Sequence, residues 1–100
     1  MEIRFATRGL QDLYTSGKGS NRYPSEVLDA FFDLVVLIAN APDERDLRRL
    51  RGARLERLTG KPGCYSMRLN RQWRLELRFD SPGAQDKVVV ILSISKHYGD

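Results

Sequence analysis

The 100-residue sequence contains one cysteine and one histidine, and these shortages exclude several classes of protein. A single cysteine, Cys64, cannot form an internal disulfide, which excludes a small secreted fold held together by disulfides. One histidine and one cysteine are too few for the ligand cluster of a zinc site. The remaining carboxylates follow no recognisable two-metal pattern; they include Glu44, Asp46, Glu56 and Glu76. We therefore predict that the protein uses no metal ion and no other cofactor.

Long apolar runs are also missing. The longest apolar region, residues 31–39, is interrupted by Asp33 and is far shorter than the about 20 residues that a membrane span needs. It is better explained as a buried helix. The first nine residues, MEIRFATRG, lack the basic segment followed by an apolar segment that is typical of a secretory signal. We expect a cytoplasmic protein that does not contact a membrane and folds as a single domain over residues 1–100.

Lysine is scarce in the part of the chain where positive charge is most abundant. Residues 45–78 carry eleven basic and three acidic side chains, a net charge of +8, whereas the net charge is −3 over residues 1–44 and −1 over residues 79–100. Ten of the eleven cations are arginine and only Lys61 is lysine. Because arginine makes forked contacts to phosphate and stacks on bases, this bias favours contact with nucleic acid. The alternative is an ordinary charged face in which some arginines pair with glutamates of a partner.

Residues 63–79, GCYSMRLNRQWRLELRF, show the alternation of a β-hairpin. Apolar side chains occupy every second position, and the positions between them include Arg68, Arg74 and Arg78, with Arg71 at the turn. Successive side chains of a strand point to opposite faces. One face of the hairpin is therefore predicted to be apolar, and the other is predicted to present guanidinium groups to a phosphate-rich partner.

Three further segments read as strands. Residues 2–5 predict a short first strand and residues 55–58 predict another before the hairpin. Residues 88–94 form an almost continuous apolar run, which is typical of a strand covered on both sides. Residues 95–100 are predicted to be a polar tail that follows this strand.

Two helices are predicted before the hairpin. Thr7 is a suitable N-cap for the first, and the second is expected to begin with Pro24 in its first turn and to end near Asn40. Residues 43–51 predict a polar connector or a single helical turn. The order β-α-α-β-β-β-β predicts an α+β fold in which two N-terminal helices pack on one face of a mostly antiparallel sheet. The arginine face of the hairpin is then left open.

Residues 55–79, LERLTGKPGCYSMRLNRQWRLELRF, followed by an apolar strand and a short tail containing His and Tyr, resemble the RelE/ParE superfamily of bacterial toxins. The resemblance is strongest to the HigB (plasmid-maintenance killer) branch and covers nearly the whole chain. It implies a RelE-like fold and the toxin role in a type II toxin–antitoxin system. Most HigB-like members are ribosome-dependent endoribonucleases (mRNA interferases) that cleave mRNA in the ribosomal A site and inhibit translation. The resemblance also implies a cognate helix-turn-helix antitoxin, HigA-like, through which alone the complex contacts operator DNA.

The resemblance and the chemistry of RNA cleavage together select candidate catalytic residues. A metal-free ribonuclease needs a base for the ribose 2′-OH, cations for the phosphorane and an acid for the leaving 5′-oxygen. We expect Arg68 and Arg74 to stabilise the transition state and His97 to act as the general acid or base. Tyr98 is expected either to act as the base or to stack on an RNA base, and Lys96 is expected to add positive charge. Many HigB-like members end in an acidic residue followed by Tyr and His. This chain has Lys96-His97-Tyr98 instead, so no role for a carboxylate can be transferred to that position.

A second group of cations is expected to contact the RNA or the ribosome. It comprises Arg71 at the hairpin turn and Arg45, Arg48, Arg49, Arg51, Arg54, Arg57 and Lys61. For the arginines between residues 45 and 57, the alternatives are a solvated connector or a docking surface for an acidic antitoxin segment. Two alternative functions also stay open for the whole chain. One is a ParE-like toxin that poisons DNA gyrase, and the other is a catalytically degenerate member that only binds the antitoxin and the operator complex.

Overall fold

Five strands form one sheet, and they are β1 (Glu2–Phe5), β2 (Glu56–Arg57), β3 (Cys64–Arg68), β4 (Trp73–Phe79) and β5 (Val88–Lys96). Their order across the sheet is β1-β5-β4-β3-β2. β1 pairs with β5 in parallel, and every other neighbouring pair is antiparallel. The predicted mostly antiparallel sheet is thus confirmed. The computed structural model describes residues 1–50, 52–80 and 88–96.

Three α-helices accompany the sheet, and they are α1 (Arg8–Ser16), α2 (Ser25–Asn40) and α3 (Glu44–Arg48). α1 begins where predicted, because the Thr7 hydroxyl accepts a hydrogen bond of 3.2 Å from the Leu10 amide. It ends at Gly17, whose left-handed φ of 77° lets its amide donate to the Leu13 carbonyl. In the described part of the chain, no helix combines the length and the apolar character that crossing a bilayer requires.

The core lies between the helices and one face of the sheet. The apolar side of α2 supplies Phe31 and Ile38, both fully buried, and they belong to one cluster with Met67, Leu75 and Ile91 of the sheet. The Phe31 ring meets the ring of a half-buried tyrosine of α1 edge to face. Burial of a side chain of this size contributes about 1.5–3 kcal/mol to folding. The helices therefore cover the apolar face of the hairpin, as predicted from its alternation.

Element boundaries differ from the predicted ones at three places. α2 starts one residue later than expected, because Pro24 has an extended ψ of 147° and precedes the helix as its N-cap residue. β2 contains two residues rather than four, since only Glu56 and Arg57 pair with β3. β5 continues through Ser95 and Lys96, which were assigned to the polar tail. Pairing with β4 extends the strand there, although the sequence is no longer apolar.

A β-bulge between β4 and β5 decides which side chains of β5 face each layer. Leu77 pairs with Ile91, but its neighbour Glu76 pairs with Ser93, so one residue of β5 is extra at this point. The shift places Ser93 and Ser95 on the polar face of the sheet. The apolar sequence run of β5 carries no signal for this bulge.

Candidate active site

The face of the sheet away from the helices carries rows of polar side chains. Directly paired residues on neighbouring strands share a face, so the register gives the members of each row. One row consists of Arg68, Arg74 and Ser95. The adjacent row consists of Glu56, Ser66, Glu76 and Ser93. A row with two arginines thus lies next to a row with two carboxylates.

A cavity of about 490 Å³ opens on this face. Its charged lining comprises Arg54, Arg57, Arg68, Arg74, Glu56 and Glu76. Residues from β2, β3, β4 and β5 contribute to it, so the cavity exists only when the four strands are assembled. The cross-strand register places Arg68 and Arg74 together on this face, and a pair of arginines is an arrangement expected for binding phosphate.

Arg68 and Arg74 are cross-strand partners. The Arg74 Nη1 donates to the carbonyl of Asn70 at 3.0 Å and to the carbonyl of Trp73 at 3.3 Å. The Arg68 Nε is buried and has no hydrogen-bond acceptor among the described residues. Like charges directly opposite each other destabilise a sheet, and a buried donor without a partner costs about 1–3 kcal/mol. An anion bound between the two arginines would relieve both penalties.

The turn of the β3–β4 hairpin holds Arg74 in place. The Asn70 Oδ1 accepts hydrogen bonds from the amides of Gln72 (2.9 Å) and Trp73 (2.8 Å), which closes an Asx-type turn. The Asn70 Nδ2 donates to the Glu26 carboxylate at 3.0 Å and so joins the turn to the start of α2. Asn70 was not among the predicted site residues, although its position between two strands is the sequence signal of a turn.

Glu76 is a further residue of the cavity that was not among the predicted site residues. Its Oε2 accepts a hydrogen bond of 2.7 Å from the Ser95 hydroxyl, and its Oε1 lies 3.5 Å from the Lys61 Nζ. The side chain is 18% exposed. The signal was present in the sequence, because Glu76 lies between Arg74 and Arg78 in the same alternation. In the sequence it entered only among the carboxylates that follow no two-metal pattern.

The three tail residues predicted to act in catalysis differ in what the structure describes. Lys96 pairs with Trp73. The alternation of side chains therefore places it on the face that the helices cover, not in the row of Arg74 and Ser95. His97 and Tyr98 lie outside the described residues. Their roles in proton transfer, like the charge contribution of Lys96, stay predictions.

The cations expected to contact RNA do not form a single surface. Arg54 lines the cavity with a left-handed φ of 48°. Lys61 contacts Glu76, a lining residue of the same cavity, at 3.5 Å. Arg57 also lines the cavity and is exposed. Arg71 at the hairpin turn is exposed and, within the described ranges, has no ion pair.

Three other cations of this group, Arg45, Arg48 and Arg49, lie on or directly after α3. Arg45 forms an ion pair of 2.9 Å with Asp43, and the hydrogen bond and charge of that carboxylate raise the pKa of Arg45 above its ordinary value. The guanidinium carbon of Arg48 lies 5.7 Å from the centre of the Tyr65 ring. Arg49 is exposed directly after the helix. Arg51 lies outside the described residues. Contact of this group with RNA stays a prediction.

Among residues 1–50, 52–80 and 88–96, no group of three or more His, Cys, Asp and Glu side chains is placed to hold a metal ion.

Three comparisons with known proteins agree with one another. Residues 3–97 match the family described as "RelE-like toxin of type II toxin-antitoxin system HigB". Toxin HigB-1 of Vibrio cholerae serotype O1 is 34% identical over 76 residues, which are 75% of this chain and 80% of that protein. The fold is similar to that of the YoeB/ParE toxin from Agrobacterium tumefaciens, with a TM-score of 0.61 and 18% identity over 98% of this chain and 100% of that one. The structural likeness concerns the fold alone, whereas the first two matches concern the sequence.

Proposed function

The chain belongs to the HigB-like toxins of the RelE superfamily, and from this premise we propose that it is a ribosome-dependent mRNA endonuclease. As the toxin of a type II toxin–antitoxin family, it has an antitoxin as its partner. The proposed substrate is mRNA in the A site of a translating ribosome in the cytoplasm. Cleavage there inhibits translation.

The observation that carries the nuclease proposal is the Arg68–Arg74 pair at the cavity. Attack of the ribose 2′-oxygen on the adjacent phosphorus builds up negative charge on the phosphate oxygens. Two permanently charged guanidinium groups on one face can stabilise that charge without a metal ion. The unpartnered Nε of Arg68 supports an anionic ligand, because the protein itself provides no acceptor for it within the described residues.

The proposed antitoxin is a HigA-like helix-turn-helix protein. The concentration of arginine between residues 45 and 78 supports a partner that presents acidic side chains to the toxin. In this proposal, only the toxin–antitoxin complex contacts operator DNA, because the helix-turn-helix that binds DNA is part of the antitoxin.

The proposal is tested with purified toxin, ribosomes programmed with a defined mRNA, and primer extension to map the cut sites. We expect codon-positioned cuts with programmed ribosomes and poor cleavage of the same mRNA alone. Arg74→Ala should remove the cuts while leaving ribosome binding measurable, since one transition-state contact of this kind contributes on the order of 10²-fold or more to the rate.

Two outcomes would contradict the proposal. Efficient cleavage of free mRNA would argue against action on the ribosome. Growth arrest with intact transcripts would argue against a nuclease altogether. In the second case, gyrase-linked DNA breaks would identify a ParE-like poison. A degenerate member would be recognised instead by the absence of growth arrest.

A further inference from the structure

Glu76 is the carboxylate nearest the middle of the arginine face. It lies on β4, which has β3 on one side and β5 on the other, and its cross-strand partners are Ser66 and Ser93. Two strand positions before it is Arg74 and two after it is Arg78, so all three share a face. A carboxylate in this position is surrounded by small hydroxyl side chains and lies among cations.

Both oxygens of Glu76 are oriented without engaging either arginine of the cross-strand pair. Ser95 donates to Oε2 at 2.7 Å, and the Lys61 Nζ lies 3.5 Å from Oε1. Within the described residues, neither Arg68 nor Arg74 forms an ion pair with this carboxylate. A carboxylate has about four lone-pair sites, so this one keeps capacity to accept a further proton or hydrogen bond.

The cavity offers few other groups that could accept a proton. Of its described lining residues, the arginines remain protonated and the serine and threonine hydroxyls are weak bases, which leaves the carboxylates Glu56 and Glu76. Glu56 is on the exposed edge strand β2, in the same row as Glu76. Glu76 is the more enclosed of the two and is the one that a hydroxyl orients.

We propose that Glu76 is the general base of the cleavage reaction, an inference that rests on the proposed nuclease function. Its carboxylate takes the proton of the ribose 2′-OH. The 2′-oxygen then forms a bond to the adjacent phosphorus, and the bond between phosphorus and the 5′-oxygen breaks. An acid supplies one proton to the leaving 5′-oxygen, so the products are a 2′,3′-cyclic phosphate and a 5′-hydroxyl. Arg68 and Arg74 stabilise the charge on the phosphorane between these steps.

A purely structural role for Glu76 would be to neutralise neighbouring cations. Its ion pair with Lys61 is weak, because the Lys61 side chain is 63% exposed and the atoms are 3.5 Å apart. The stronger contact is the neutral Ser95 hydroxyl, which orients the carboxylate but does not cancel its charge. These contacts fit a base held in position better than a counter-ion.

The test compares Glu76→Gln with the parent in single-turnover cleavage on programmed ribosomes over a pH series. Glutamine has the same shape and can still accept the Ser95 hydrogen bond, but it cannot accept the proton. We expect kcat to fall by about 10²–10⁴-fold with KM nearly unchanged. In the parent, the rate should rise with pH at the acidic end of the profile. We expect this rise to be absent in Glu76→Gln.

Glu56→Gln serves as the competing variant, because it removes the other carboxylate of the same cavity. If Glu56→Gln loses the rate and the acid limb while Glu76→Gln keeps both, the proposal is overturned. If Glu76→Gln does not fold, Glu76→Asp replaces it; this variant keeps the charge on a side chain one methylene shorter. It should lose about 10²-fold in kcat through misplacement of the base. A parental rate in Glu76→Asp would also overturn the proposal.

Failure of the inference and failure of the proposed function give different results. If the parent cleaves and Arg74→Ala does not, but Glu76→Gln cleaves at the parental rate with the parental pH profile, only the role of Glu76 is wrong. If the parent itself leaves the mRNA intact, the nuclease function and the role of Glu76 are both wrong.

Discussion

Arg68 and Arg74 lie directly opposite each other on adjacent antiparallel strands, and both line the same cavity. The arrangement opposes stability, because two like charges face each other and the Arg68 Nε is buried without a partner within the described residues. Such a pair is consistent with a site built for an anion, in which the ligand supplies the missing negative charge. Stability and activity should therefore respond in opposite directions when the pair is broken.

Replacing Arg68 with methionine tests this relationship. Arg68→Met keeps a long flexible side chain but removes the repulsion and the unpartnered donor, so we expect the free energy of unfolding to rise by about 1 kcal/mol. Cleavage should fall by about 10²-fold or more, because one cation of the transition state is lost. Urea denaturation and the ribosome cleavage assay measure the two effects.

Arg78→Met is the matched control for that experiment. Arg78 shares the face and strand of Arg74, but its ion-pair partner is Asp80 at 3.5 Å and it does not line the cavity. The change should leave cleavage near the parental rate and alter stability by less than about 1 kcal/mol. Equal losses of activity in both variants would mean that net charge, not the cross-strand pair, supports cleavage.

Arg54 provides a test of backbone strain at the cavity. Its φ of 48° is in the left-handed region, which glycine adopts more easily than other residues. Arg54→Gly and Arg54→Ala both remove the cation, so both should reduce cleavage to the same extent. The glycine variant should be more stable than the alanine variant by about 1 kcal/mol. Thermal or urea unfolding that ranks alanine above glycine would contradict this explanation.

Asn70 is expected to act on activity through Arg74. Asn70→Ala removes the side-chain acceptor that binds two turn amides, and we expect a loss of about 1–2 kcal/mol in stability. Cleavage should fall as well, because the Arg74 guanidinium donates to the Asn70 carbonyl in the intact turn. The measured kcat should fall more than KM rises.

Asn70→Asp separates the turn from the link to α2. Aspartate keeps the acceptor for the turn amides but loses the donor to Glu26 and places a second negative charge beside it. We expect Arg74 to stay in position, so the kcat should remain near that of the parent while stability decreases. A kcat as low as that of Asn70→Ala would show that the contact with α2, not the turn, positions Arg74.

Arg71 should contribute to binding rather than to chemistry. It is exposed at the hairpin turn and has no ion pair in the described part of the chain. Arg71→Ala is expected to weaken binding to programmed ribosomes and to lower the slope of log affinity against log salt by about 1, with kcat unchanged.

Arg45→Ala is the comparison for Arg71, since it removes the same charge from a residue already paired with Asp43 at 2.9 Å. Its salt slope should change less than that of Arg71→Ala. Identical slopes would indicate long-range attraction by net charge, without a local phosphate contact at the hairpin turn.

Most of the fold could be predicted because its signals are local. The N-cap at Thr7, the apolar spacing along α2 and the alternation of the hairpin each depend on residues close in the chain. The end of β5 could not be predicted in this way. Its last two residues, Ser95 and Lys96, belong to the strand because they pair with β4. Their polar side chains do not indicate this pairing in the sequence.

The residues of the candidate site differ in the same way: those with local signals could be predicted, and those that depend on distant contacts could not. Arg68 and Arg74 were identified because one hairpin places them on one face at a regular spacing. Glu76 follows the same alternation but was not predicted. Its carboxylate is oriented by contacts with Ser95 and Lys61, and these two residues come from other parts of the chain. The cations of residues 45–61 looked like one group in the sequence, yet some line the cavity and others pair near α3.

The amino-acid order alone is enough to specify a hairpin with one apolar and one arginine-bearing face, since alternation is a property of consecutive residues. The groups that meet on the second face depend on strands that are far apart in the chain. The bulge in β5 places Ser95 on the same face as Glu76, where the two side chains form a hydrogen bond. The segment before the edge strand β2 places Arg54 at the cavity. Both depend on register between strands that are distant in the chain, and register is set by the packing of the whole sheet against its helices.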